Sequence, residues 1–401
     1  SVAGANGYWP ITYVSGTIFT IALTGAASSL GEGTTKKQAS SYPCFRNRVK
    51  TSCIVKDLYI TRSRYAVQNT GSGADGITTG FEAHRIDVVD IGDHAFNNSW
   101  QSTSSRFLYC TALRVRNDVF NFSGSGVYNT GYEVGYCSGA YIGYNMDGVT
   151  WCEIAGSGDF STNHSGNYGD THDFVATFCQ QGAVTHVNTT GTSRVWNGYV
   201  SDCGDQFITQ NSGGTLKSWN IYARAMSTLT LDAGSTHAIF KISSGSNGEL
   251  YNSTLYTEKG SIGNWSTSCV CWMMTSTGTL TVSNVRCISN GTAPMAYISA
   301  GTVTQKTNGY SHTGTLFYNS GNKTLAQFDS TATTGCSIAK VPPTDNVLDY
   351  RPTGVIGVGT NQSAAGIPEL ASDVLGRLRG NNWIIGALQS SGVSPSFFEE
   401  S

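Results

Sequence analysis

The sequence predicts an all-β chain: a right-handed, single-stranded parallel β-helix (a solenoid), with a small N-terminal β motif and a C-terminal cap. Three observations carry that expectation. Short alternating strands recur about every 25 residues, within the range of solenoid repeats. Gly, Asn, Ser and Asp turns separate them. No stretch with a clear 3.6-residue period lies between them.

The strands read in order as Lys56 to Ile60, His84 to Val88, Ala112 to Val115, Tyr132 to Val134, Val149 to Trp151, Phe174 to Ala176, Asn197 to Val200, Asn220 to Ala223, Ser253 to Tyr256 and Ser283 to Arg286. The steps from Trp151 to Val175, Tyr199 and Tyr222 are nearly uniform. Asn69 to Gly73, Ser123 to Gly126 and Gly245 to Gly248 are typical turns. A β-sandwich also has short strands and turns, but it does not explain the near-constant step or the Asn-x-Tyr pattern at Asn197 and Asn220. A propeller blade needs a longer period, about 40 residues or more.

Three regions follow. Residues 1–42 hold a β-hairpin, Asn6 to Val14 and Thr17 to Leu23 around Ser15-Gly16, then a Gly/Ser/Thr linker from Gly25 to Ser41. Residues 43–340 form the parallel β-helix. Residues 341–401, after Pro342-Pro343, form a capping region, with a short helix expected near Glu369 to Arg377 behind Pro368. The open end of a solenoid has to be covered, because it offers an unpaired edge.

Composition agrees with a folded, loop-rich β chain. Charged residues make up 12%, against about 25% in ordinary domains, and 48 Gly are present. Aromatic residues stand at 11%, which a disordered chain lacks. The net charge of -2 leaves no basic excess for nucleic acid. Apolar runs such as Phe19 to Leu23 and Cys269 to Met274 are too short to span a bilayer, so no membrane insertion is expected. Ser1 to Pro10 lacks the charged and apolar regions of a signal peptide. The 11 Cys contain no CxxC pair and several sit in apolar strands, which predicts buried free thiols, no metal site and no cofactor.

Two stretches resemble known proteins. Asn6-Gly7-Tyr8-Trp9-Pro10-Ile11-Thr12-Tyr13-Val14 with Phe19-Thr20-Ile21 is similar to a β motif of bacteriophage tail and other virion structural proteins. Asp373 to Arg379 with Ile385-Gly386-Ala387 resembles the closing segment of pectate-lyase-like β-helix proteins. The acidic residue usual before Ile-Gly-Ala is replaced by Ile384, and Gln389 stands where an acid is common. The resemblance implies a phage virion surface protein: a tailspike, a fibre segment or a capsid decoration. It also implies a homotrimer that contacts other virion proteins through the N-terminal segment.

Four constellations could carry chemistry. Asp159, His164, Asp170, His172 and Asp173 lie in one polar stretch, read as a long loop between rungs. Asp170 and Asp173 there could act as acid and base on a glycosidic bond, or the stretch is a solvated turn. Asp202 and Asp205 flank Gly204 and could face one groove, or simply mark a turn. Arg62, Arg64, His84, Arg85, Arg114 and Arg116 recur on early rungs and could align into a basic stripe for an acidic glycan or a partner protein. Trp196, Trp219 and Trp265, with Trp100 and Trp272, could stack sugar rings, or fill the core or an intersubunit seam.

Three functions remain open on this reading. The first is a virion structural protein, a surface-exposed trimeric rod for attachment or particle stabilisation. The second is a depolymerase, a hydrolase or lyase cleaving host surface polysaccharide through Asp202, Asp205, Asp170 and Asp173. The third is a glycan-binding adhesin without turnover. Converging carboxyls in an open groove favour the enzyme; scattered carboxyls with a flat apolar seam favour the structural protein. The expected location is the virion surface, or otherwise extracellular.

Overall fold

The computed structural model describes residues 11–15, 18–21, 43–48, 51–70, 77–99, 102–123, 130–143, 161–164, 168–187, 191–204, 206–225, 237–258, 268–289, 293–311, 317–340, 348–354, 358–374, 378–379 and 383–387. The chain is all-β, built on two long sheets whose strands run almost entirely parallel. It alternates between them. A four-residue strand such as Val67–Thr70 joins one sheet, and a longer one such as Glu82–Ile91 joins the other. Each pass stacks in register on the one before, as in a solenoid.

The register runs without interruption along the first sheet. Phe45, Val67, Phe96, Phe120, Ser161, Val184, Ile208, Phe240, Trp272, Ala296 and Phe317 are successive partners. These positions fall on one face of the sheet because a strand alternates with period two. Phe96 and Phe120 stack with ring centroids 4.9 Å apart and 12° between planes. The core lies between the sheets as one apolar cluster running from Val55 to Phe328. Cys110, Cys137, Cys179, Cys203, Cys269, Cys271, Cys287 and Cys336 are buried in the chain as free thiols, and burial pushes the Cys137 and Cys287 thiols up.

The long strands bend rather than run flat. In Glu82–Ile91, Ala83, Ile86, Val88 and Ile91 point inward, and the alternation resets at Arg85, whose φ is 49°. The same corner recurs on every following rung. Asp57, Arg85, Tyr109, Tyr136, Asp173, Asn197, Asn220, Asn252, Asn284 and Thr307 all have left-handed backbone, φ between 43° and 58°. Asn and Asp tolerate this conformation best among residues with a side chain. Their amides also link the rungs: Asn197 Nδ2 donates to Asp173 Oδ1 at 3.1 Å, Asn220 Nδ2 to Asn197 Oδ1 at 3.1 Å, and Asn284 Nδ2 to Asn252 Oδ1 at 3.0 Å.

The two ends differ from expectation in one respect. Ile11–Ser15 and Ile18–Ile21 pair antiparallel, Ile11 opposite Ile21, as the hairpin pattern predicts. Among the described residues, Val358 to Ala387 do not sit over the end of the stack. Leu325–Phe328, a single capped helical turn, does so instead, with Phe328 against Trp272 and Phe317. Thr324 Oγ1 accepts from Gln327 N while Gln327 Oε1 accepts from Thr324 N.

In the tail, Leu348–Gly354 pairs antiparallel with Cys336–Lys340, and the described residues from Val358 to Ala387 lie along the side of the long sheet as a strap. Arg286 donates to Ile385 O at 3.1 Å, Asn284 Nδ2 to Thr360 O at 2.7 Å and Gly386 N to Asn284 O at 2.8 Å. The helix expected near Glu369 is a four-residue 3-10 turn, Pro368–Ala371; 375–377 lie outside the described residues. Among the described residues, no helix is long and apolar enough to cross a membrane.

Candidate functional site

Parallel, in-register stacking turns one outward position per rung into a row. One row on the long sheet reads Glu82, Arg106, Glu133, Asp170, Arg194, Lys217, Glu249. Neighbours in it pair across rungs. Arg106 Nε donates to Glu133 Oε2 at 2.7 Å, Arg194 grips both oxygens of Asp170, and Lys217 Nζ lies 3.0 Å from Glu249 Oε1. Glu133 and Asp170 are register partners with no cation between them.

His172 stands beside this row, between two carboxylates. Its Nδ1 lies 2.7 Å from Asp173 Oδ2 and its Nε2 3.1 Å from Glu133 Oε1. The ring stacks on Trp196 at 4.5 Å and lies over Gly135, where a Cβ would fall 2.5 Å from His172 Cε1. Burial pushes the imidazole pKa down, but the hydrogen bonds to Asp173 and Glu133 outweigh it and raise it above 6.5. Burial likewise pushes Glu133 up, and its bonds from Arg106 and His172 outweigh that and hold it below the usual range. Two carboxylates therefore share one imidazole, and both bonds favour its charged form.

The predicted site residues separate. Asp170, His172 and Asp173 lie in one strand, Tyr168–Cys179, and not in a loop, because their backbone pairs with rungs on both sides. Asp173 is a corner residue engaged by His172 and Asn197. Asp202 also has left-handed backbone (φ 58°) but belongs to a different bend. It is buried, with Arg224 Nη2 3.2 Å from its Oδ2. Burial raises its pKa in spite of Arg224. Asp205 and Asp159 lie outside the described residues, as does the His164 side chain.

Two expectations are corrected. Trp219 is 0% exposed and cannot offer a face to a sugar. It stacks on Trp196 at 5.0 Å, and both lie under Ile367, Leu370 and Trp383 of the strap. Trp265 lies outside the described residues. The basic stripe is neutralised in part: Arg64 pairs with Asp93, Arg85 with Asp57, Arg114 with Asp90 and His84 with Glu82. The first three guanidinium groups each meet a carboxylate one rung away, whereas Arg116 Nε and Nη1 are buried without a hydrogen-bond partner among the described residues.

Sequence reasoning missed Glu133, Arg106 and Arg194. Their signal was a pair of acids, Glu133 and Asp170, at equivalent places on consecutive rungs. A 37-residue gap separates these partners, longer than the steps on either side. Among the described residues, no group of three or more His, Cys, Asp or Glu side chains is arranged to hold a metal ion.

A second face opens beyond the corner. Its outward rows run Tyr59, Asp87, Thr111, Ser138, Val175, Tyr199, Tyr222 and Thr61, Val89, Leu113, Ala140, Thr177, Ser201, Arg224, Tyr256. From Tyr199 onward, Val374 and Ala387 of the strap pack against these rows. On the earlier rungs the rows are uncovered, and exposed rings flank them: Tyr59 at 68%, Tyr109 and Tyr136 at 50% each, Tyr141 at 49% and Phe178 at 38%. Compared with known proteins, the chain matches no family model, no curated protein and no solved structure.

Proposed function

We propose that the chain is the rod of a bacteriophage surface protein, a tailspike, fibre or capsid decoration, serving attachment or particle stabilisation. In this reading the rungs close into a right-handed single-stranded β-helix, the hand that parallel crossovers almost always take. Three copies lie side by side, residues 1–42 join other virion proteins, and host surface polysaccharide is the target in attachment. The two end motifs support the virion assignment. The observation that carries the structural role is the state of the outer-face carboxylates. Glu133, Asp170, Asp173 and Asp202 are each held by a cation or an amide of another rung. Such bonds fasten a scaffold, whereas a hydrolase needs a protonated acid free to reach its substrate.

A depolymerase is the second reading, and one observation favours it. Glu133 and Asp170 are partners on neighbouring strands, which stand about 4.8 Å apart. That is close to the roughly 5–5.5 Å between the carboxyls of retaining glycosidases. Light scattering of the purified chain, then incubation with bacterial capsular and O-antigen polysaccharides, tests both readings. The structural reading expects stable trimers that leave every glycan at its original length. Shortening that disappears in Glu133→Gln or Asp170→Asn replaces it with the enzyme.

A further inference from the structure

The uncovered aromatic strip on the early rungs is the same surface that the strap occupies on the later ones. Tyr199, Tyr222, Tyr256 and Ile288 form one cluster with Ala387, against which Val175 and Val374 pack. One to four rungs upstream, the equivalent positions are Ser138, Thr111, Asp87 and Tyr59, and Ala140, Leu113 and Val89. Among the described residues no part of the strap reaches them, and Tyr59, Tyr109, Tyr136, Tyr141 and Phe178 stand exposed around them.

Ring geometry bears on what covers the strip. Tyr109 and Tyr136 stack at 4.8 Å and 7°, and Tyr141 and Phe178 at 5.0 Å and 5°. Each pair spends its two inner faces on each other. A sugar ring stacks on a face, so only the outer faces are left to a glycan. Protein surfaces accept aromatic edges readily, and Tyr is enriched at their interfaces. The charges at the margin, Arg85 with Asp57 and Arg114 with Asp90, are compensated within the chain. Within the uncovered rows Asp87 accepts from the Thr111 hydroxyl, so the charge that an identical strip meets there is one carboxylate per copy.

We infer that this strip, from Tyr59 to Phe178 and continuous with the strap interface, is the face by which copies of the chain pack side by side. The inference rests on the trimeric reading above and adds the surface that makes the trimer. Copies around an axis parallel to the stack present the same strip to that axis, giving closed symmetry without a growing edge. The strap ends the buried surface in one direction, and the neighbouring copies extend it in the other.

The test is the mass of the full chain by light scattering, for the native sequence and for Leu113→Glu with Ala140→Glu. Both positions are half-buried on the uncovered rows, so the fold accommodates the change. Thr304→Glu, exposed at the far end of the sheet, is the control. A native trimer, a trimeric control and a double variant that is monomeric at tenfold higher concentration, all with the same far-ultraviolet dichroism, support the inference. A folded double variant that stays trimeric overturns the strip and leaves the trimeric reading intact. A monomeric native chain overturns both. Should the double variant misfold, Ser138→Cys in a Cys44→Ser background decides: a short bismaleimide links copies if the strip is the interface, and the lack of any link rejects it.

Discussion

His172 holds two carboxylates with one ring, and that fixes how it responds to pH. The imidazolium donates to both Glu133 and Asp173. The neutral ring has a single N–H, so one carboxylate would then face a lone pair. With a folded pKa raised above 6.5, the bridge stabilises fully below the unfolded pKa and is lost as pH rises through the folded value. Glu133, held low, acts oppositely: its contribution is lost as pH falls below the usual carboxylate range. Thermal melts should show a His172-dependent fall in Tm above about pH 6.5. His172→Gln should flatten that fall and cost about 2 kcal/mol at pH 6, the worth of charge-assisted hydrogen bonds. A variant whose pH profile overlays the native one would remove the bridge from the account. At this scale the sequence was unevenly legible. Asn197 and Asn220 announce a recurring corner because Asn favours left-handed backbone. Tyr109, Tyr136 and Arg85 hold the same corner without any such preference, so nothing local in the sequence marks them.

Among the elements, the strap is the one whose place could not be read. Its residues, Asp373 to Arg379 and Ile385-Gly386-Ala387, are recognisable as a closing segment. Which surface they close depends on contacts more than a hundred residues away. Arg379 makes one of them and ties the strap to itself: it is almost fully buried, and its Nη2 donates to Asn220 Oδ1 at 2.9 Å and to Ala387 O at 3.0 Å. Its guanidinium also lies 5.6 Å from the Trp383 ring centroid. Truncation leaves these buried acceptors unsatisfied, at about 1–3 kcal/mol each. Arg379→Ala should therefore free the strap before it unfolds the rungs. Limited proteolysis should cut the variant between 341 and 387 at protease levels that spare the native chain, and fluorescence of Trp196 and Trp219 should shift red. Cleavage first among the early rungs would show that the strap is not held this way. The rungs, by contrast, were legible in part: Val175, Tyr199 and Tyr222 are register partners as their even spacing predicts, whereas the step from Trp151 fails because Val175 pairs with Ser138.

For the whole molecule, stacking makes stability a nearest-neighbour property. Trp272 is fully buried between Phe240 and Ala296, its register partners, and touches Phe328. Trp272→Ala should cost about 3–5 kcal/mol. The loss should stay local. Hydrogen exchange should quicken in His237–Ser243, Ala296–Ile298 and the turn at Leu325, while Glu82–Ile91 keeps its protection. Equal quickening at both ends would mean that the stack melts as one unit. The fold class was legible from repetition alone, because a repeat needs only local pattern to show itself. The site was not, since it consists of side chains that become neighbours only through stacking. Glu133 sits 37 residues from Asp170, a gap set by turns of irregular length.

The line of left-handed corners has a consequence for how such a chain can change. Successive corner residues are 23 to 32 residues apart among those joined by side-chain bonds. The excess is taken up in the turns, and the corner itself stays aligned. It serves as a phase marker: each rung is counted from it afresh. Added letters in a turn are absorbed before the next count begins. One letter added between Trp219 and Asn220 would turn Ile221 outward and Tyr222 inward, with no later chance to correct within that strand. Lengthening by drift is therefore open to the turns and closed to the half-dozen residues on either side of each corner.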